Sequence, residues 1–159
     1  MTAVDTNVVV RLLTGDEPKQ AAAARALFAA GPIWIAKTVL LETGWVLRSL
    51  YGFEDRAVRT AFAKLLGLNN VHVEDESSLA AALALTASGI ELADAMHLSS
   101  RPPGAKFVSF DKALVQRAKR AGVPDISGMP CERLSPAKRR DGSSGQPFSR
   151  KPTFRQGTA

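Results

Sequence analysis

Four carboxylates occupy places where their charge needs an explanation. Asp5 directly follows a short apolar run ending in Ala3-Val4, and Asp111 follows Lys106–Phe110 and opens the next helical pattern. Glu42 lies within Val39–Leu47 and Asp94 within Ile90–Leu98, two stretches that are otherwise largely apolar. An ionised carboxylate on an apolar helix is costly unless it is paired or binds a cation. If the four converge, each pair about 5 Å apart repels by about 3 kcal/mol at an effective dielectric of about 20, so a cation is what makes such a cluster tolerable. Oxygen ligands without His or Cys suit Mg2+, with Mn2+ as a substitute. Carboxylate-held Mg2+ usually serves phosphoryl or phosphodiester chemistry. The chain has two His and one Cys, none at zinc-like spacing.

Each acid also has a plainer role open to it. An Asp between a strand and a helix is a favoured N-cap, which covers Asp5 and Asp111. Glu42 has Arg11 as a candidate base, or sits at the open edge of its helix. Glu91, Asp94 and His97 are three apart and share one helical face, so His97 is a candidate partner for Asp94. Residue types and spacing alone therefore leave an α/β domain with a candidate metal-hydrolase site.

The elements that must hold these residues are short. Ala3-Val4, Ile33–Ile35, Val71–Val73 and Phe107-Val108 are the strand candidates. Helical patterns run over Glu17–Ala30, Thr38–Tyr51, Asp55–Leu66, Ser77–Ser88, Glu91–Ser100 and Lys112–Ala121, most of them stopped by Gly or Pro. Strands separated by helices predict a three-layer α/β fold, a central parallel sheet of about 4–5 short strands with helices on both faces. In such sheets, sites form beyond the carboxyl ends of the strands.

Composition sets the outer limits. With 159 residues, 45% apolar and 23% charged, the chain is neither a disulfide scaffold nor a collagen-like fibre nor wholly disordered. A single Cys131 permits no internal bridge and suits a reducing cytoplasm, the expected location. The first residues lack the basic flank of a signal peptide, and no apolar run approaches the roughly 20 residues of a membrane span. The net charge of +6 is concentrated at one end. Residues 135–159 carry six bases and one acid, and ten of these 25 residues are Gly, Pro or Ser. Residues 1–134 hold 15 bases against 14 acids. We therefore expect a nearly neutral domain over 1–134 and a basic tail over 135–159 without a core of its own, either a solvated appendage or an arm that touches RNA.

Four segments together resemble a known family. Val4-Asp5-Thr6-Asn7-Val8-Val9-Val10-Arg11-Leu12-Leu13 resembles the opening of PIN-domain nucleases. Leu41-Glu42-Thr43 with Trp45-Val46-Leu47, Ala93-Asp94-Ala95 with His97-Leu98, and Phe107–Asp111 resemble its later acidic motifs, in order. Each motif alone is weak; four in order, over about residues 2–126, are specific. The compact size and Leu13-Thr14-Gly15-Asp16-Glu17-Pro18 look most like VapC-type toxins of type II toxin–antitoxin pairs. The basic tail departs from that pattern, and Glu91 stands where many relatives carry Asp.

The resemblance implies an endoribonuclease dependent on Mg2+. Asp5 and Asp94 would be the main ligands, Glu42 and Asp111 would complete the acidic pocket, and Thr6 would steady Asp5 or a phosphate oxygen. Asn7 and Ser109 are weaker supporting candidates. The implied reaction is in-line hydrolysis by metal-activated water, leaving 5′-phosphates. The implied partners are an RNA substrate, a second copy of the chain, and a cognate antitoxin whose apolar helix fills a groove near the first helices, with no membrane. Arg11, Lys37, Arg48 and Lys112 are the candidate bases for RNA. The alternative function is a PIN-like module that binds RNA or protein without cutting. An Asp-x-Asp phosphatase ranks low because position 7 is Asn, and no Gly-rich phosphate loop follows the first strand.

Overall fold

The computed structural model describes residues 1–129. The expected basic tail over 135–159 lies outside the described residues. Five short strands alternate with seven helices: β1 (Thr2–Ala3), α1 (Thr6–Thr14), α2 (Pro18–Ala30), β2 (Ile33–Ile35), α3 (Lys37–Ser49), α4 (Asp55–Leu66), β3 (Val71–Val73), α5 (Glu76–Thr86), α6 (Leu92–Ser99), β4 (Phe107–Ser109), α7 (Lys112–Arg120) and β5 (Ile126–Gly128). Every pairing is parallel. β2 lies between β1 and β3, with Ile33 opposite Thr2 and Val71, and β4 pairs with β5. The five strands are hydrogen-bonded as a sheet of three and a sheet of two.

Parallel neighbours cannot be joined by tight hairpins, so each crossover carries helix. In β2, Ile33 and Ile35 are buried on one face while Trp34 is half-buried on the other. They join Leu40 and Leu47 of α3, Phe62 of α4 and Leu79 of α5 in one core. Fully burying a side chain of this size contributes about 1.5–3 kcal/mol. α4 shows the logic at its plainest: Val58, Phe62 and Leu65 are buried, and its arginines and lysine lie off that row.

A turn fixes the far end of α1, the helix that Asp5 caps. α1 ends at Gly15, which adopts φ +67, a left-handed conformation that suits glycine. Asp16 then anchors the corner, pairing with the Arg11 guanidinium and accepting hydrogen bonds from the hydroxyls of Tyr51, at 2.7 Å, and Thr14, at 2.7 Å. The Leu13–Pro18 motif therefore ties α1 to the end of α3. No helix among the described residues is long and apolar enough to cross a membrane.

Candidate active site

Within each sheet the parallel sense puts the strand carboxyl ends on one edge; Asp5 follows the end of β1 and Asp111 that of β4, while Glu42 and Asp94 come from α3 and α6. β1 runs through buried Val4 into Asp5, which caps α1, its Oδ1 accepting from the Val8 N–H at 3.0 Å. Thr6, the next residue, donates its hydroxyl to Glu42 Oε2 at 2.6 Å. That bond ties the start of α1 to α3. β4 leads through Ser109 and Phe110 to Asp111, which caps α7 by accepting from the N–H groups of Ala113 at 2.8 Å and Leu114 at 3.0 Å. The Asp111 N–H donates to Ser109 Oγ at 3.0 Å, so Ser109 sets the turn that presents the acid. The capping roles are real at Asp5 and Asp111, and each leaves a second carboxylate oxygen free of the cap.

Asp94 lies on α6, within charge reach of Glu91 and Asp111. Its carboxyl is pushed above its ordinary value, first by partial burial and then by the negative charges of Glu91 and Asp111. His97 and Arg117 pull the other way. Among the described residues it accepts no hydrogen bond, so His97 acts on it through charge alone. α3 and α6 cross tightly beside it: a Cβ on Gly44 would lie 2.6 Å from Leu92 Cδ2. A groove lined by Leu41, Glu42, Trp45, Glu91 and Ala93 opens between the two helices.

The opening Asp-Thr pair, the Glu on α3 and the Asp on α6 fall inside one family match, because the model of the PIN domain matches residues 2–120. This chain belongs to the PIN-domain family. PIN domains are nuclease-type domains, generally ribonucleases. No curated protein matches the sequence.

In this PIN domain the acids do not close into a cage. Among the described residues no three His, Cys, Asp or Glu side chains come together closely enough to hold a metal ion between them. The donors still fit a hard divalent cation, because Mg2+ is commonly held by one or two carboxylates with water and substrate oxygens filling the rest. Such an ion would add positive charge where partial burial, Glu91 and Asp111 outweigh His97 and Arg117.

Several expectations need correction. Of the alternatives for Glu42, the open edge of its helix is the one found: α3 turns Leu40, Thr43, Gly44 and Leu47 inward, and Glu42 faces solvent. Arg11 is not its partner, because Asp16, Gln20 and Tyr51 occupy the guanidinium. The other bases nominated on this side are engaged too. Lys37 pairs with Asp75 at 3.1 Å, and Arg48 bridges Asp55 and Glu91, both at 2.9 Å. Of the four nominees, only Lys112 lacks an acidic partner among the described residues. Asn7 stays exposed at the groove between α1 and α2. Phe110 and Trp45 were not singled out from sequence, yet each stands next to a site element, 67% and 60% exposed respectively. The signal was an aromatic residue one position before the cap and three positions after Glu42.

Proposed function

We propose that this chain is a divalent-metal-dependent endoribonuclease, and that it is the VapC-type toxin of a toxin–antitoxin pair. The observation that carries the reading is the Thr6–Glu42 hydrogen bond at 2.6 Å, which fastens the helix capped by Asp5 to the helix bearing Glu42 at the carboxyl edge of a parallel sheet. A fold needs no such link between two exposed side chains 36 residues apart; a site that must hold two carboxylates in register does.

Asp5 and Asp94 would hold Mg2+, or Mn2+ in its place, with Glu42 and Asp111 completing the acidic rim. The bound ion would supply a water acidic enough to attack phosphorus and charge to stabilise the phosphorane-like transition state. The chain's own contribution is orientation. The Val8 N–H fixes one oxygen of Asp5 and turns the other outward. The Thr6 hydroxyl does the same for Glu42. The raised carboxyl of Asp94 favours any arrangement that brings positive charge to it. A second copy of the chain and an antitoxin helix seated in an apolar groove belong to this reading, as does a domain over 1–134 followed by a basic tail over 135–159.

The separation of the acids favours a second reading, a PIN module that binds RNA or protein without cutting it. Induced expression in a bacterial host, wild type beside Asp5→Asn, with end-mapping of cellular RNA, separates the two. Growth arrest with discrete cuts bearing 5′-phosphates, absent in the variant, is expected. Cuts with 2′,3′-cyclic phosphate ends would refute hydrolysis by activated water. Intact RNA from a folded wild type would refute the nuclease.

A further inference from the structure

The corner where β4 meets α7 differs from the rest of the surface. Phe110, 67% exposed, stands immediately before the cap Asp111. α7 then carries Lys112, Arg117, Lys119 and Arg120, all exposed, with no acid inside the helix. Leu114, Val115 and Ala118 turn inward. Lys112, Gln116 and Lys119, spaced four and three apart, make one solvent-facing row, Arg120 borders it, and Arg117 flanks it on the side that acts on Asp94. None of these four cations has an acidic partner among the described residues, whereas Arg11, Lys37 and Arg48 near α1 and α3 are each held by one. β5 ends at Gly128 opposite Ser109, the Met129 N–H donates to the Ser109 carbonyl at 2.9 Å, and residues 130–159 follow with seven bases and two acids.

An exposed ring beside a row of free cations is the combination that holds a single strand of nucleic acid, a base stacking on the ring and successive phosphates meeting the cations. The row from Lys112 to Arg120 covers about 12 Å of helix, the span of about two nucleotides. We propose that Phe110 and the cationic row of α7 form the docking surface for single-stranded RNA, with the base next to the scissile phosphate on Phe110 and the flanking phosphates on Lys112, Lys119 and Arg120. This rests on the nuclease reading above and locates the strand that the acids would act on. The strand enters along α7, and the bases nominated from sequence at Arg11, Lys37 and Arg48 do not carry it.

The test is binding of a labelled single-stranded RNA of mixed sequence to the full chain, followed by anisotropy over a range of salt in the presence of EDTA, so that binding is read without cutting. Three variants are compared. Lys112→Gln, Arg117→Gln, Lys119→Gln and Arg120→Gln together remove four charges from α7. Lys19→Gln, Arg25→Gln, Arg56→Gln and Lys64→Gln together remove the same charge from α2 and α4. Phe110→Ala removes the ring alone.

Removing a cation that neutralises one phosphate flattens the dependence of log affinity on log salt by about 0.7 for a single strand. The α7 set removes the three cations assigned to phosphates and is expected to flatten it by about 2.1, and the distant set to leave it unchanged. Phe110→Ala is expected to weaken binding about 5- to 150-fold at an unchanged salt slope. If the fourfold α7 variant does not fold, Lys119→Gln with Arg120→Gln reads two thirds of the effect from the far end of the helix. Equal reductions from the two charge sets would overturn the proposal, since net charge would then matter and place would not. So would unchanged affinity in Phe110→Ala with an altered sedimentation coefficient, which would assign the ring to self-association. A wild type that cuts RNA yet gives either result keeps the nuclease and loses this surface; one that neither binds nor cuts loses both.

Discussion

Replacing Gly44 by alanine tests whether the α3–α6 crossing sets the site. The added Cβ would lie 2.6 Å from Leu92 Cδ2, while the next atoms, Phe62 Cε2 at 3.6 Å and Cζ at 3.7 Å, are at ordinary contact. Carbon atoms settle at about 3.5–4.0 Å, so Leu92 must retreat by about 1 Å. Overpacking of this kind costs about 1–3 kcal/mol. Alanine in a helix regains about 1 kcal/mol over glycine. The net loss is about 0–2 kcal/mol, which lowers the melting temperature by up to about 8 °C in a chain of this size. Activity should suffer more than stability. Leu92 is two residues before Asp94 in the first turn of α6, so whatever part of the shift the helix takes up, rather than the leucine side chain, moves Asp94, and a misplacement of about 1 Å at a reacting group costs about 100-fold in rate. Calorimetry and RNA cleavage on the same preparation measure the two effects. Adding Leu92→Ala should restore part of the lost activity, because the two side chains compete for one space. A Gly44→Ala chain that melts higher than wild type and cuts at the wild-type rate would refute the reasoning.

Four further outcomes are expected. Asp5→Asn keeps a good cap and should hold the melting temperature while abolishing cleavage, whereas Asp5→Ala should also lose about 1 kcal/mol of stability, seen as a drop of about 2–4 °C. Thr43 is fully buried and its hydroxyl has no hydrogen-bond partner, so Thr43→Val should raise stability by about 1 kcal/mol in a denaturant titration. The Tyr51 hydroxyl, then the Thr14 hydroxyl and the Arg11 guanidinium, hold the Asp16 carboxyl well below its ordinary 3.8. A depressed folded value means stabilisation present above pH 3.8 and lost as the pH falls below it, so the melting deficit of Asp16→Asn should be full at neutral pH and shrink steadily in acid. Saturating Mn2+ should raise the melting temperature of wild type but not of Asp94→Asn, since a ligand that binds only the folded state stabilises it; equal shifts in both would remove Asp94 from the ligand set.

What the sequence discloses divides along the range of the forces involved. α4 is legible to the residue, Asp55–Leu66, because its apolar period and its stop are local. β5 is not, because Ile126–Gly128 has no apolar alternation and is a strand only through its ladder with β4. The four acids and Thr6 are legible as types in order, but their surroundings are tertiary. An apolar run suggested that Glu42 is buried, yet α3 leaves Trp45 60% exposed on the open side where Glu42 also sits. Arg11 looked free for Glu42 or RNA until the fold brought Tyr51, 40 residues away, to share it with Asp16.

The same division explains which cations remain available. Arg11, Lys37 and Arg48 are consumed by ion pairs with acids brought to them by the fold, whereas Lys112, the residue after Asp111, is not paired among the described residues. α7 begins at a site acid but carries none of its own beyond that cap, so its four charges stay unpaired, among the described residues, on the solvent side of the same edge. Proximity to the acids in sequence is therefore a poor guide to where a polyanion is held. A helix that starts at the site and runs away from it lets cations bind the strand without neutralising the carboxylates that must act on it.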